Sequence, residues 1–254
     1  MLKVLIVDDD QRMVNTIADI LTIKGFEVIT AFSGEEAVEK VKSNSPDCLL
    51  MDNKMGGITG AEAYSMIKNI SPKLPVIFMT ADITEEILRA CDQDGAYAVL
   101  SKPLNIQMLL SFLSSLRKAV SIIIIDDNKE FCQTLKDVLT LREFEIECMV
   151  TPENLPNIIE KHETNTIILL DLKLGELKGL DVLKDIKKTY PHIPIVLVTG
   201  YHSEMQDDIE QGLLLNAYTC LYKPLEIEML SNTLMEINRK KLKELLGVPF
   251  KKSA

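Results

Sequence analysis

The sequence predicts an α/β protein made of two tandem domains, each a doubly wound parallel sheet of five strands with alternating helices. In each half of the chain, apolar and β-branched runs of about five residues alternate with helical stretches of about ten to fifteen residues. Runs that are apolar throughout are typical of strands buried on both faces, as in parallel sheets. The second half also repeats landmarks of the first half in the same order.

Four separate segments carry this repeat. The matching pairs are Val4–Asp9 with Ile122–Asp127, Leu49–Asp52 with Leu169–Asp171, Pro75–Thr80 with Pro194–Thr199, and Leu100–Pro103 with Leu221–Pro224. The offset stays at about 120 residues, which indicates a duplicated domain rather than a short solenoid repeat. We therefore predict a first domain at residues 1–119 and a second at 120–254, the second with an extended C-terminal helix.

The pattern places five strands and five helices in each copy. In the first copy, strands are predicted near 3–7, 26–30, 47–51, 75–79 and 97–100, and helices near 10–24, 33–43, 58–70, 84–93 and 105–118. In the second copy, strands are predicted near 121–125, 144–149, 166–170, 194–198 and 218–221, and helices near 129–141, 152–161, 177–189, 203–214 and 226–245.

Local signals support the ends of the first two helices. The apolar positions expected on one face of the first helix are Met13, Ile17, Ile20 and Leu21, with Val14 beside them. Lys24–Gly25 is a typical helix end, with a basic last turn followed by glycine. Ser33, three residues before Glu36, predicts a capping box at the start of the second helix.

The last helix is predicted to extend through Glu226–Leu246. Its apolar positions are Leu230, Leu234, Ile237, Leu242, Leu245 and Leu246. We interpret this face as packing on the helix's own sheet, and a homodimer or a partner helix is the alternative. The basic stretch Arg239–Lys252 is interpreted as a solvated helix end and tail, which suits the helix dipole.

Composition argues against several classes of function. The net charge of −10 disfavours direct binding to nucleic acid, which needs a basic surface. No apolar run approaches the roughly 18 residues of a membrane helix, and the N-terminus does not resemble a signal peptide, so we expect a cytoplasmic protein without membrane contact. The five cysteines are odd in number and form no C-x-x-C pair. We interpret Cys48, Cys91, Cys132, Cys148 and Cys220 as buried reduced thiols rather than a disulfide framework or a zinc site.

Carboxylates, a hydroxyl and a lysine follow the predicted strands of each copy. In parallel sheets, sites form at the carboxyl ends of the strands, so side chains at those ends converge. The side chains at these ends are Asp8, Asp9, Asp52, Thr80, Lys102 and Pro103 in the first copy, and Asp126, Asp127, Asp171, Thr199, Lys223 and Pro224 in the second. Three crowded carboxylates require a cation, and an all-oxygen cluster suits Mg²⁺. Lysine and threonine would complete a clamp for a phosphoryl group, with an aspartate as nucleophile.

This pattern resembles the receiver domain of two-component response regulators over essentially the whole chain. The resemblance implies two flavodoxin-like (βα)5 domains with strand order 2-1-3-4-5. It also implies that Asp52 and Asp171 are the phosphoacceptors. The Mg²⁺ ligands that it implies are Asp9 and Asp127 directly, Asp8 and Asp126 mainly through water, Asp52 and Asp171, and the backbone carbonyls of Lys54 and Lys173. It implies that the phosphoryl group accepts a hydrogen bond from Thr80 or Thr199 and pairs with Lys102 or Lys223. It also implies a cis peptide bond before Pro103 and Pro224.

The sequence departs from the family pattern at three places. Val99 and Cys220 stand where the family often has an aromatic residue that moves on activation, and Tyr97 and Tyr218, two residues earlier, are predicted on the same strand face. The loops after the phosphoacceptors contain Met55–Gly56 and Leu174–Gly175 instead of Met-Pro, which predicts looser loops. The separation of threonine from lysine is two residues longer in the second copy, which predicts a different surface around its fourth helix.

The resemblance implies a signalling protein rather than an enzyme acting on free substrates. A sensor histidine kinase, a histidine phosphotransfer protein or a small phosphodonor would phosphorylate the aspartates with Mg²⁺, and an unknown downstream protein would read the result by contact. The chain is alternatively a fragment of a larger hybrid kinase or regulator. Two other functions are alternatives, an unphosphorylated scaffold and a haloacid-dehalogenase-type phosphotransferase. The intact acid sets argue against the first, and the absence of a cap domain argues against the second.

Overall fold

The computed structural model describes residues 1–82, 84–92, 96–117, 119–162, 165–200 and 205–246. Predicted features at residue 93, at Lys118, at residues 203–204 and at Gly247–Ala254 lie outside the described residues, as do the side chains of Cys91 and Leu245. The chain forms two compact units, Met1–Arg117 with Arg239–Ala254, and Lys118–Asn238. None of the helices among the described residues combines the length and the apolar composition needed to cross a bilayer.

The first unit contains one parallel sheet, in the order β2-β1-β3-β4-β5. Its elements are β1 (Lys3–Val7), α1 (Gln11–Ile23), β2 (Glu27–Ala31), α2 (Gly34–Asn44), β3 (Cys48–Asp52), α3 (Gly60–Ile70), β4 (Val76–Thr80), α4 (Glu85–Asp92), β5 (Ala98–Ser101) and α5 (Ile106–Arg117). The strand order 2-1-3-4-5 and the alternation of strands with helices are therefore confirmed.

The second unit repeats this topology, with its sheet in the order β7-β6-β8-β11-β12. Its elements are β6 (Ser121–Ile125), α6 (Lys129–Thr140), β7 (Glu145–Met149), a 3-10 turn (Pro152–Asn154), α7 (Leu155–His162), β8 (Thr166–Asp171), β9 (Lys173–Leu174), β10 (Leu177–Lys178), α8 (Gly179–Thr189), β11 (Ile195–Thr199), α9 (Gln206–Leu214), β12 (Thr219–Tyr222) and α10 (Ile227–Leu245). The β9–β10 hairpin, with Gly175 at φ +57°, stands where a looser loop was predicted.

The central strands are buried along their whole length, as their apolar sequences predict. Every residue of β3, β4, β6, β8 and β11 is buried. Alternate side chains of β1 enter two different clusters. Val4 and Ile6 pack with α1 and α5, whereas Leu5 and Val7 pack with α2 and α3. Each sheet is thus covered on both faces, which leaves its carboxyl edge as the place where polar side chains gather.

The helix signals are largely realised. The buried residues of α1 are Val14, Ile17 and Leu21, whereas the predicted Ile20 is only half-buried. Gly25 follows α1 at φ +80°, which favours glycine at a helix end. The Ser33 hydroxyl accepts from the backbone N–H of Glu36 at 3.2 Å, but the Glu36 carboxylate accepts from Phe32, so the predicted capping box is only half formed.

The prediction for the two tyrosines before the last strands is wrong. Tyr97 packs against the α1–α5 cluster, whereas Val99 packs against the opposite one. Tyr218 and Cys220 are divided between the two clusters of the second unit in the same way. Both tyrosines precede the first residue of their strand, so the two-residue alternation does not extend to them.

The thiols are not uniformly buried as predicted. Cys48 and Cys132 are buried, but Cys148 is exposed and Cys220 is half-buried, and these four carry no disulfide. Cys148 lies on β7, an edge strand of its sheet, which explains its access to solvent.

The apolar face of α10 divides between two cores. Leu230, Leu234 and Ile237 pack in the core of the second unit, as predicted for a helix on its own sheet. Leu242 and Leu246 instead belong to the α1–α5 cluster of the first unit and are 1% and 3% exposed. The boundary between the units therefore falls within α10, and the residues from Arg239 onward, assigned to the second domain from sequence, group with the first unit.

The described basic residues at the end of α10 are half-buried rather than solvated, contrary to the sequence prediction. These residues are Arg239, Lys240, Lys241 and Lys243. Burial lowers the pKa of Lys241 to about 8. The Arg239 guanidinium lies 5.3 Å from the centroid of the Tyr97 ring, within the range of a cation–π contact. The packing of Leu242 accounts for the difference, because it draws the basic turn onto the apolar face of the first unit.

Replacing Leu242 by alanine is expected to destabilise the first unit by about 2–5 kcal/mol, because it removes a fully buried leucine from that core. Hydrogen exchange followed by mass spectrometry should then show faster exchange in α1 and α5. The matched control is Met235→Ala on the same helix, where the side chain is 45% exposed. Unchanged protection of α1 and α5 in Leu242→Ala would contradict the assignment.

Candidate functional site

In the first unit, four strands bring the predicted side chains to one edge of the sheet. Asp8 follows β1, Asp52 ends β3, Thr80 ends β4 and Lys102 follows β5. Three of them are almost fully buried, with exposures of 1% for Asp8, 4% for Asp52 and 1% for Thr80. Asp9 lies at the same edge but is exposed. Burying two carboxylates side by side is costly unless cations and hydrogen bonds compensate.

The Lys102 ammonium supplies that compensation. Its Nζ lies 2.7 Å from Oδ2 of Asp8 and 3.0 Å from Oδ1 of Asp52, so one lysine binds both acids. The second oxygen of each acid accepts a backbone N–H. Asp10 donates to Asp8 Oδ1 at 3.0 Å, and Lys54 donates to Asp52 Oδ2 at 3.1 Å. Both carboxylates are therefore fixed in orientation by charge-assisted hydrogen bonds.

The second unit builds the same arrangement. Lys223 Nζ lies 2.6 Å from Oδ2 of Asp126 and 2.7 Å from Oδ2 of Asp171. Asn128 N–H donates to Asp126 Oδ1 at 2.9 Å, and Lys173 N–H donates to Asp171 Oδ1 at 3.0 Å. Two separate sheets thus reach the same geometry with the predicted residues.

Each unit also places a third carboxylate beside this pair. Oxygen atoms of Asp8, Asp9 and Asp52 lie within 4.8 Å of one another, and those of Asp126, Asp127 and Asp171 do the same. An all-oxygen set with three carboxylates and only one lysine is short of positive charge. This donor set fits Mg²⁺, which is bound by few carboxylates and keeps several waters.

The pKa shifts of the acids and lysines also favour a cation at each site. Burial raises the pKa of Asp52, Lys102 opposes this effect, and Asp8 adds to it. Burial likewise raises the pKa of Asp126 against the effect of Lys223. Burial alone would lower the pKa of each lysine, but the hydrogen bonds to the two acids outweigh it and raise the pKa. The lysines therefore stay charged, and a further cation would stabilise the ionised acids.

The threonines lie beside the acids but bond elsewhere. Thr80 Oγ1 donates to the backbone carbonyl of Asp82 at 2.9 Å and accepts from the Asp82 N–H at 3.2 Å. Thr199 Oγ1 contacts Met205 Sδ at 3.5 Å. Both hydroxyls are thus held by the loop after the fourth strand of their own unit.

Backbone hydrogen bonds join the residues at the ends of β4 and β5 in the first unit, and those at the ends of β11 and β12 in the second. Lys102 N–H donates to Thr80 O at 2.9 Å, and Lys223 N–H donates to Thr199 O at 2.8 Å. The peptide bonds before Pro103 and Pro224 are cis, as the resemblance implies. Each lysine is therefore fixed at the site by backbone contacts on one side and by its two acids on the other.

Comparison with known proteins now identifies the family. The profile of the response regulator receiver domain matches residues 4–114 and again residues 122–235. The chain belongs to the response regulator receiver family. It consists of two receiver domains in tandem, each with the flavodoxin-like sheet described above.

The chain is similar to several known proteins. A response regulator receiver protein of Anaeromyxobacter sp. (strain Fw109-5) is 28% identical over 203 residues, which cover 80% of this chain and 84% of that protein. A cyclic di-GMP phosphodiesterase of Thermotoga maritima is 36% identical over 120 residues, 47% of this chain and 32% of that protein. The chain thus spans only a third of that relative. The crystal structure of chemotaxis protein CheY4 of Vibrio cholerae, solved in a low-pH condition, is 30% identical, with a TM-score of 0.43, and matches 46% of this chain and 98% of that one.

The sequence analysis missed a glycine at the start of the third helix of each receiver domain. A Cβ added to Gly60 would lie 2.2 Å from the carbonyl oxygen of Asp52, and one added to Gly179 would lie 2.2 Å from that of Asp171. The helix can approach the backbone of the acid only without a side chain at this position. The repeat itself held the signal, because Gly60 and Gly179 are separated by the same interval as Asp52 and Asp171.

The surroundings of the two sites differ, and the sequence analysis did not predict how. In the first receiver domain, Lys54 pairs with Asp82 across the site. In the second, the Lys223 ammonium lies 4.3 Å from the centroid of the Phe131 ring, where a cation–π contact adds to its two ion pairs. The position equivalent to Phe131 in the repeat is Met13. The two domains therefore keep the same acids but hold them in different environments.

Gly60→Ala is expected to destabilise the first receiver domain by about 1–3 kcal/mol, because the new Cβ overlaps the Asp52 carbonyl and displaces the acid. Gly56→Ala is the matched control, since no atom lies within 4 Å of its added Cβ. Urea unfolding of both variants measures the difference. Equal midpoints for the two variants would show that the close approach at Gly60 is not a real constraint.

Isothermal titration of the wild-type chain should find two Mg²⁺ ions, one for each acid cluster. Asp9→Asn and Asp127→Asn should each remove one ion, because each replaces an exposed carboxylate of one cluster. Asp10→Asn is the control from the same acidic run: Asp10 caps α1, and asparagine caps a helix equally well. Two unchanged sites in Asp9→Asn would exclude that acid as a ligand.

Proposed function

We propose that the chain is a response regulator of a two-component phosphorelay, with a receiver domain at residues 1–119 and another at 120–254, and that it accepts phosphoryl groups on Asp52 and Asp171. The observation that carries this proposal is the lysine that bridges the acceptor to a second buried acid, at 2.7 and 3.0 Å in the first domain and at 2.6 and 2.7 Å in the second. An ion pair with a purely structural role needs only one acid for each lysine. Here each lysine contacts two acids, so the acceptor carboxylate lies beside a fixed positive charge.

The acceptor carboxylate acts as the nucleophile toward a phosphohistidine or a small phosphodonor. The lysine and the backbone N–H two residues later, Lys54 for Asp52, favour its ionised form against the effect of burial. Mg²⁺, held by Asp9 and Asp52 with Asp8 acting mainly through water and with the Lys54 carbonyl, would supply positive charge for the transferring oxygens. Lys102 then pairs with the new phosphoryl group, since its ammonium already lies at the acceptor oxygen.

The second domain uses the equivalent residues. Asp126, Asp127, Asp171 and the Lys173 carbonyl would hold its Mg²⁺, while Lys223 and Thr199 would bind the phosphoryl group. In both domains, the dianionic product replaces a carboxylate that carried one charge, so the environment of the lysine and the threonine changes on transfer.

The threonine hydroxyl couples the transfer to the surface. Thr80 Oγ1 now bonds the backbone of Asp82 in the loop before α4. To bond a phosphoryl oxygen it must give up those contacts, which changes the loop and the α4–β5 face beside it. A downstream protein would bind that face.

A sensor histidine kinase or a histidine phosphotransfer protein supplies the phosphoryl group, and the protein works in the cytoplasm.

The test is intact mass spectrometry after incubation with acetyl phosphate, with and without Mg²⁺. Wild type should gain two phosphoryl groups only when Mg²⁺ is present. Asp52→Asn and Asp171→Asn should each lose one, and the double variant should gain none. Asp19→Asn, an exposed aspartate on α1, is the control and should behave as wild type.

Two results would contradict the proposal. Phosphoryl groups on the double variant would place the acceptors elsewhere. Wild type that stays unmodified while its fold is intact would favour the alternative of an unphosphorylated receiver-fold scaffold.

A further inference from the structure

Two cysteines lie close together on one face of the second receiver domain, beside its phosphoryl site, where Cys132 Sγ lies 3.6 Å from the backbone carbonyl oxygen of Asp126. Cys132 lies in the first turn of α6 and is 5% exposed, whereas Cys148 lies on β7 and is exposed. The sulfur of Cys148 lies 3.6 Å from the backbone carbonyl oxygen of Cys132. Sixteen positions of sequence separate the two residues, so the contact arises from the packing of α6 on β7 and not from local chain geometry.

The strand directs both side chains to the same space. Side chains of a strand alternate between its faces, so Cys148 shares a face with Ile146. Ile146 packs in the same cluster as Cys132, between the sheet and α6. The nearby Cys132 side chain and the charge of Lys136 lower the pKa of Cys148, against the smaller opposing effects of burial and of Glu147. A thiol with a lowered pKa and access to solvent is the reactive kind.

A surface cavity opens onto the pair. It has a volume of about 330 Å³, and the thiols contribute to its wall together with Lys129, Lys136 and Glu147. A small polar oxidant can enter such a cavity and reach Cys148. Lys136 in this wall favours the anionic thiolate form on which oxidation depends, whereas Glu147 opposes it.

We propose that Cys132 and Cys148 are a redox-active thiol pair that a hydroperoxide converts into a disulfide. The Cys148 thiolate attacks one peroxide oxygen, the O–O bond breaks, and hydroxide leaves and takes up a proton, which gives a sulfenic acid. The Cys132 sulfur then attacks the Cys148 sulfur, the S–O bond breaks, and hydroxide leaves as water with the Cys132 proton. The two cysteines lose two electrons and two protons, and hydrogen peroxide becomes two molecules of water.

The pair is confined to the second receiver domain. In the repeat, Cys132 corresponds to Val14, and Cys148 corresponds to Thr30, since Ile124 faces Cys148 in the sheet as Ile6 faces Thr30. The first receiver domain therefore cannot form this link. Disulfide formation does not depend on the proposed phosphorylation, because the positions of the two cysteines and of the cavity do not depend on it.

The test uses the full chain, reduced and then treated with hydrogen peroxide in equimolar amount. Free thiols are blocked with N-ethylmaleimide under denaturing conditions, and the masses of the chain and of its tryptic peptides are measured. Of the five cysteines, two should escape alkylation. Trypsin should yield the peptide Glu130–Lys136 linked to Glu143–Lys161, and dithiothreitol should separate them.

Variants assign the link. Cys148→Ser should abolish the linked peptide, whereas Cys220→Ser should retain it, because that half-buried cysteine has a pKa raised by burial to about 11. Alkylation of all five wild-type cysteines after peroxide treatment would overturn the proposal. So would oxidation of Cys148 alone to the sulfinic acid, or a disulfide between any other two cysteines. The wild-type peptide map decides the question even where a variant folds poorly.

Discussion

One lysine shared between two buried carboxylates is the constraint on which each site depends. Lys102 and Lys223 each hold the acid after the first strand against the acid that ends the third. Removing such a lysine would leave two acids without a cationic partner, and breaking a buried pair costs about 3–5 kcal/mol. The fold accepts this arrangement because its sheets are covered on both faces, which leaves only the carboxyl edge for polar groups. The stability of that edge and its chemistry therefore rest on the same contact.

Much of this could be predicted from the sequence, because the strands and the acids are both set by local patterns. The uninterrupted apolar run Ile122–Ile125 can only suit a fully buried strand, and the acids that follow such runs must meet at one edge. The repeat shows each strand and each acid twice, so an error in the limits of one element had little effect on the predicted fold. The limits of the elements were less accurate: β5 begins at Ala98, so Tyr97 lies before the strand and does not follow the alternation that predicted its face.

The remaining features depend on contacts between distant residues, and no local pattern encodes them. Leu242 continues the apolar spacing of α10, and nothing in that spacing says that it packs with the first unit rather than the second. The contact between Cys132 and Cys148 follows from how α6 lies on β7. Gly60 is different in kind, because a Cβ at this position would lie 2.2 Å from the Asp52 carbonyl oxygen, and a sequence shows this constraint only as an absent side chain.

The duplication has preserved the acids and changed what surrounds them. Both domains keep three carboxylates, a threonine and a lysine at the carboxyl edge of the sheet. Their surroundings differ: an ion pair of Lys54 with Asp82 crosses one site, while Phe131 and the β9–β10 hairpin border the other. Two receiver domains built in this way share one arrangement of acids and lysine but surround it with different groups.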